Sequence, residues 1–258
     1  MNKILDNKFK KGILFFHQNW TDIINNLALI DYYLEYYDKL IVLCIIDANN
    51  LINYYIRNKK NIIIIFDNYF INYFTNNIIN YLHNKYNIDT INYDILFHGH
   101  HDSERIDKYK NQFIINYKEN NKCFVKSFYI SYDIDYIVRI KYFNINRDIN
   151  KENEIYNNFI KINGFKYILY HEIIPEKKII NFNYINLNKI SNTFLDYIKV
   201  LEYSQEFHLL DSVWAAIIYI LDCKYKLFQK KKIFLYAKRN FELMFIEPLL
   251  LNNWIIIK

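Results

Sequence analysis

Solidly apolar runs, each followed by a polar joint and then by helical spacing, recur along this chain and leave it few folds. Gly12 to His17 (GILFFH), Leu40 to Ile46 (LIVLCII) and Ile62 to Phe66 (IIIIF) are apolar on both faces and predict buried strands. Between the first two, Ile23, Leu27, Ile30, Leu34 and Tyr37 recur at helical spacing, which makes a βαβ unit with a right-handed crossover. Asn68 to Tyr86 predicts a further helix. Thr90 to Phe97 (TINYDILF) alternates and predicts a fourth strand. Strands alternating with helices across short polar joints imply an α/β layered domain.

The pattern pauses and then resumes. Lys122 to Asp133 places Phe124, Phe128 and Tyr132 at i, i+4 and i+8 and predicts a helix, whereas Tyr136 to Arg147 fits either period. Asp148 caps a clear helix that Gly164 ends. Lys166 to His171 (KYILYH) is a strand, Ile179 to Leu187 is extended, and Thr193 to Tyr203 is a helix. Glu206 to Leu210 reads as a strand that passes through Asp211-Ser212 into a helix, Val213 to Leu221, apolar on nearly every side. Tyr225 to Phe228 and Ile233 to Tyr236 predict late strands, Asn240 to Leu251 a final helix, and Trp254 to Ile257 a last extended piece. The expectation is two tandem Rossmann-like domains facing a cleft, residues 1–140 and 141–258, without a Gly/Pro/Ser linker.

Composition limits what absences can mean. With 3 Gly in 258 residues and a preference for Ile, Asn, Lys, Tyr and Phe, whose codons are A/T-rich, a missing glycine-rich loop excludes little. No GxSxG, CxxC, HExxH, GxGxxG or Walker A pattern occurs. The net charge of +6 suits phosphorylated ligands, but the densest basic run is only Lys230-Lys231-Lys232, so a solvated surface is expected rather than a nucleic-acid track. Cys44, Cys123 and Cys223 are far apart, an odd count that fits a reducing compartment. The first apolar run (ILFF) is too short for a signal peptide, and no stretch approaches a bilayer span, so a cytoplasmic protein is expected.

Polar residues that could do chemistry fall where predicted strands end, the edge at which open α/β sheets hold ligands. They are Gln18, Asn19 and Asp22 after the first strand, the HGHHDSER joint with His98 and His101 after the fourth, His171-Glu172, and Asp211-Ser212. Asp211-Ser212 is either a plain helix cap or a phosphate cradle at a helix start. His208 is either a core histidine or part of that site. His171-Glu172 is either a polar strand end or a ribose or base contact. Asp22 is either a cap or a general base. Arg139 and Arg147 stand out in a chain that prefers Lys; each is either a fork for phosphate or a structural partner of Asp135 or Asp148. The histidines at 98, 100 and 101 are too close for a tidy helical ligand pair, so no metal and no cofactor is expected.

LDYIKVLEYSQEFHLLDSVWAAIIYILD with Lys238-Arg239, YFNINRDINKENEIYNNF (Phe143, Arg147, Asp148, Glu152) and KYILYHE together resemble a group of bacterial and viral glycosyltransferase-like proteins of GT-B type. The likeness covers the latter half of the chain; the first βαβ and the HGHHDSERIDKY joint match loosely. It implies a nucleotide-sugar on the C-terminal domain, with the diphosphate at Asp211-Ser212. Arg139, Arg147 and His208 would stand beside it, and His171-Glu172 near the nucleoside. It further implies an acceptor side at Asn19, with Asp22 or His101 deprotonating a glycan or glycoconjugate hydroxyl without a metal. The glycine common in the first loop of such proteins is absent between His17 and Asp22. Another α/β transferase such as a methyltransferase, or a non-catalytic binding homologue, is the alternative.

Overall fold

The first three apolar runs form strands β1 (Lys11–Phe16), β2 (Lys39–Cys44) and β3 (Ile62–Phe66) in the computed structural model, which describes residues 10–16, 20–68, 77–97, 128–129, 134–172, 179–190, 194–236 and 252–257. The chain divides into two compact units, Met1–Asn144 and Ile145–Lys258.

In the first unit, helix α1 (Trp20–Tyr33) joins β1 to β2. The joint before β3, unassigned from the sequence, holds a 3-10 turn (Ile46–Ala48) and helix α2 (Asn49–Ile56), which buries Leu51, Ile52, Tyr54 and Tyr55. Helix α3 (Asn77–Tyr86) is the described part of the expected Asn68 to Tyr86 helix. Strand β4 (Asp94–Phe97) is shorter than TINYDILF, because the Asp89 side chain accepts the Ile91 amide at 3.2 Å and winds Thr90–Asn92 into a 3-10 turn. The sheet order is β3-β2-β1-β4, with every pairing parallel. Burial on both faces explains why β1 and β2 are apolar without alternation. Gly12 is needed at the start of β1: a Cβ there would lie 3.1 Å from Leu40 and 3.3 Å from the Tyr37 ring. On one face Ile13, Phe15, Ile41 and Leu43 pack with Leu82 of α3. Helix α4 (Val138–Lys141), from the stretch that fits either period, packs on α1.

In the second unit, helix α5 (Ile149–Asn163) begins where the Asp148 carboxylate accepts the Lys151 amide at 3.1 Å and ends at Gly164 with φ 74°. Strands β5 (Tyr167–Tyr170) and β6 (Asn183–Asn186) follow. The expected helix at Thr193 to Tyr203 is a 3-10 turn (Phe194–Tyr197) leading into α6 (Ile198–Tyr203). Then come β7 (Glu206–Leu210), α7 (Val213–Tyr225), β8 (Lys232–Tyr236) and β9 (Trp254–Ile257). All are parallel, in the order β6-β5-β7-β8-β9. Trp214 through Asp222 of α7 are buried, and Trp214 meets Phe194 edge-on at 4.8 Å. Each such large apolar side chain contributes roughly 1.5–3 kcal/mol by leaving water.

The strand expected at Tyr225 to Phe228 is not there. The buried Asp222 carboxylate accepts the Phe228 amide at 2.9 Å and the Asn253 side chain at 3.1 Å, which holds the chain in a turn once Lys226 has closed the helix at φ 60°. Among the described residues, five non-glycine residues take left-handed backbone: Asn61, Asn87, Glu172, Asn181 and Lys226. The expected helix at Asn240 to Leu251 and most of that at Lys122 to Asp133 lie outside the described residues. Among the described residues, no helix is long and apolar enough to cross a membrane.

Candidate functional site

Strand order locates the candidate site. In the second sheet β5 has β6 on one side and β7 on the other, so the chain leaves β5 in one direction and returns to pair on its opposite edge. Such a reversal opens a crevice at the carboxyl ends of the two strands, where α/β sheets bind ligands. Those ends carry His171-Glu172 after β5 and Asp211-Ser212 after β7. The first sheet reverses between β1 and β4. The residues after those ends, including Asn19, His98 and His101, lie outside the described set.

Ser212 starts α7 in extended backbone (φ −155°, ψ 178°), and its hydroxyl makes no cap. Its Oγ is buried without a hydrogen-bond partner among the described residues. The first bond of the helix runs from the Ala216 amide to the Ser212 carbonyl, 3.0 Å, so the amides ahead of it have no acceptor inside the helix. A helix start with a spare hydroxyl and spare amides carries partial positive charge and favours an anion. Asp211 beside it is half-buried.

On the neighbouring strand, the His171 amide extends the ladder to the His208 carbonyl at 2.8 Å. The His171 ring is 7% exposed, and its Nδ1 has no partner among the described residues. Burial lowers its pKa below the ordinary value, only partly offset by the Glu172 charge and a hydrogen bond with Asn188, so the ring is neutral at pH 7. Glu172 itself is exposed and left-handed at φ 61°. A carboxylate residue in that conformation stores roughly 1–2 kcal/mol of strain, which collects at ligand sites more than elsewhere.

The remaining sequence candidates separate from this pair. His208 is buried and satisfied on both nitrogens, with Tyr236 Oη 2.9 Å from Nδ1 and Glu206 Oε1 3.0 Å from Nε2, and its ring stacks on Phe234 at 4.7 Å. Tyr236 and Glu206 were not singled out from the sequence. The alternation of EFHLL beside KIFLY, which puts Glu206, His208, Phe234 and Tyr236 on one sheet face, is the signal that finds them.

Arg147, expected beside a diphosphate, is taken up elsewhere. Its Nε donates to both Glu152 oxygens at 3.0 and 3.1 Å, and its Nη1 and Nη2 reach Glu202 at 2.6 and 3.0 Å. The Glu152 hydrogen bonds raise its pKa further, against the cost of burial. The fork therefore ties α5 to α6, and its partners are these glutamates rather than Asp135 or Asp148. Arg139 lies in the first unit on α4, fully buried, with its guanidinium carbon 5.4 Å from the Tyr136 ring centre and Nη1 bonded to the Tyr136 hydroxyl. Asp22, in the first turn of α1, is 3% exposed. Among the described residues no three His, Cys, Asp or Glu cluster to hold a metal ion; the HGHHDSER joint and Lys238-Arg239 lie outside them.

The architecture is mixed α/β with parallel sheets, and an anion-favouring helix start lies at a strand reversal. No protein-family model and no curated protein matches the chain. Among solved structures it is similar to the crystal structure of the glycosyl transferase family 9 from Veillonella parvula DSM 2008. Identity is 10%, the match covers 96% of this chain and 86% of the other, and the TM-score is 0.57. At that identity the likeness speaks for the fold.

Proposed function

We propose that this chain is a glycosyltransferase that moves a sugar from a nucleotide-sugar to a hydroxyl of a glycan or glycoconjugate. The observation that carries the reading is the strand reversal at β5 and β7, whose carboxyl ends bring the open start of α7 together with His171-Glu172. The fold likeness to a family 9 glycosyl transferase supports it. In this reading the two units adopt a GT-B arrangement. The α7 amides and Ser212 hold the diphosphate, and their fixed dipoles stabilise the charge that grows on it as the sugar leaves. His171 and Glu172 contact the nucleoside. Asn19 orients the acceptor, and Asp22 or His101 takes its proton, without a metal and in the cytoplasm. Arg147 and Arg139 have structural roles and no part in the donor site.

Thermal-shift titration with UDP, GDP, CDP and S-adenosylmethionine is the direct test. Stabilisation by one nucleoside diphosphate supports the donor site, stabilisation by S-adenosylmethionine alone selects a methyltransferase, and no stabilisation by any of them rejects both. A nucleotide-sugar-binding homologue without turnover is favoured by one observation, the 3% exposure of Asp22. Release of nucleoside diphosphate from its sugar conjugate, abolished by Asp22→Asn or His101→Gln with binding intact, supports the enzyme; binding without release supports the homologue.

A further inference from the structure

Parallel register places Lys11 directly beside Lys39 at the first pair of β1 and β2. Both side chains line the same groove, at the amino ends of β1 and β2. Alternation puts Ile13, Ile41 and Ile63 on that face too. Helix α3 covers only part of it: Leu82 packs against Ile13 and Ile41, yet Ile63 is 42% exposed. What stays uncovered is a groove of about 560 Å³ with Ile63 and the half-buried Ile65 in its floor and Tyr86 and Tyr93 in its wall. That volume falls within the range of small-molecule sites.

The charge at the rim is net positive, two lysines against one aspartate. Lys11 stands 5.7 Å from the Tyr93 ring centre, and neither Lys11 nor Lys39 has a carboxylate partner among the described residues. Lys10, one residue earlier, pairs with Asp38 at 3.8 Å instead. Asp89, the acidic residue of the rim, accepts the Ile91 amide and, at 3.1 Å, the Asn92 side chain, so it closes its own turn. Two like charges held side by side repel, and an anion bridging them relieves the repulsion.

We propose that this groove binds a small anionic amphiphile, a single-chain molecule whose apolar tail lies on Ile63 and Ile65 and whose phosphate or carboxylate head sits between Lys11 and Lys39. The proposal stands independently of the reading of α7. Titration of the full chain with decyl phosphate below its micelle concentration tests it, with decanol and inorganic phosphate as controls. Decyl phosphate is expected to bind at least tenfold more tightly than either control, and Lys11→Gln/Lys39→Gln to weaken it at least tenfold without moving the melting temperature. Ile63→Glu, which sets a carboxylate in an already exposed floor position, should abolish it. A photoactivatable alkyl phosphate should label the Tyr86–Tyr93 segment. Equal affinity for decanol, indifference to both lysine changes, or labelling elsewhere would overturn the proposal. So would binding to anionic vesicles but not to the monomeric amphiphile, or binding seen only after residues 1–9 are removed, which would assign the groove to the chain's own leading segment.

Discussion

At Ser212 a serine occupies the usual capping position of a helix and does not cap it. An ordinary cap of this kind is worth about 1 kcal/mol, so its removal destabilises. Here the hydroxyl is buried without a partner among the described residues, and its removal takes away an unpaid desolvation. Ser212→Ala is therefore expected to leave the melting temperature unchanged or slightly raised while weakening nucleoside diphosphate binding about tenfold, the worth of one hydrogen bond to a charged group. A fall in stability with unchanged binding would make Ser212 a plain cap. His171 carries a pH signature. Because burial lowers its folded-state pKa, the unfolded chain takes up the proton more readily. Its contribution to stability is whole above the ordinary value of 6.5 and is lost as the pH falls toward the lowered one. Melting temperature should drop more steeply from about pH 6.5 to 5 in the natural chain than in His171→Gln. These candidate residues are legible because Asp-Ser before an apolar helix and His-Glu after an apolar run are local patterns. That Ser212 does not cap, and that Tyr236 takes up the Nδ1 of His208, depends on side chains from other parts of the chain and has no local signature.

Among elements, α5 and α6 are joined through Arg147, whose two carboxylate partners lie 5 and 55 residues away in sequence. Arg147→Ala would strand Glu152, which is 1% exposed, as an unpaired buried charge and should cost about 3–5 kcal/mol in denaturant unfolding. Arg147→Lys should recover little, since an ammonium cannot serve two carboxylates as a planar fork does. Nucleoside diphosphate affinity of the folded fraction should not change. The sequence shows an arginine where lysine is preferred, which correctly marks a need for bidentate geometry. It does not show whether the fork meets phosphate or glutamate, because Glu202 reaches it only through the packing of α6 on α5. Helix α2 escaped notice for a simpler reason: Leu51, Ile52, Tyr54 and Tyr55 form a stripe of barely two turns inside an asparagine-rich joint. The aromatic residues of Tyr225 to Phe228 suit a strand. A buried aspartate that captures the Phe228 amide outweighs that preference.

Across the whole chain, alternation of strand and helix was readable, and parallel sheets follow from it. The order of strands was not, since periodicity says which face is buried and nothing about which neighbour covers the edge. Both reversals, β1 with β4 and β5 with β7, emerge only from the pairing. One further property of the molecule lies in its backbone. Three of the five left-handed non-glycine residues among those described are asparagines, the side chain that bears that conformation best after glycine. A chain with 3 glycines thus lets asparagine turn its corners, and where lysine must do so, at Lys226, the conformation is held against preference. Lys226→Gly should raise stability by about 1 kcal/mol in thermal or urea unfolding, while glycine at Asn61, Asn87 or Asn181 should do little. Nucleotide usage, acting through the genetic code, has then left heat tolerance untapped at the end of α7 away from Ser212.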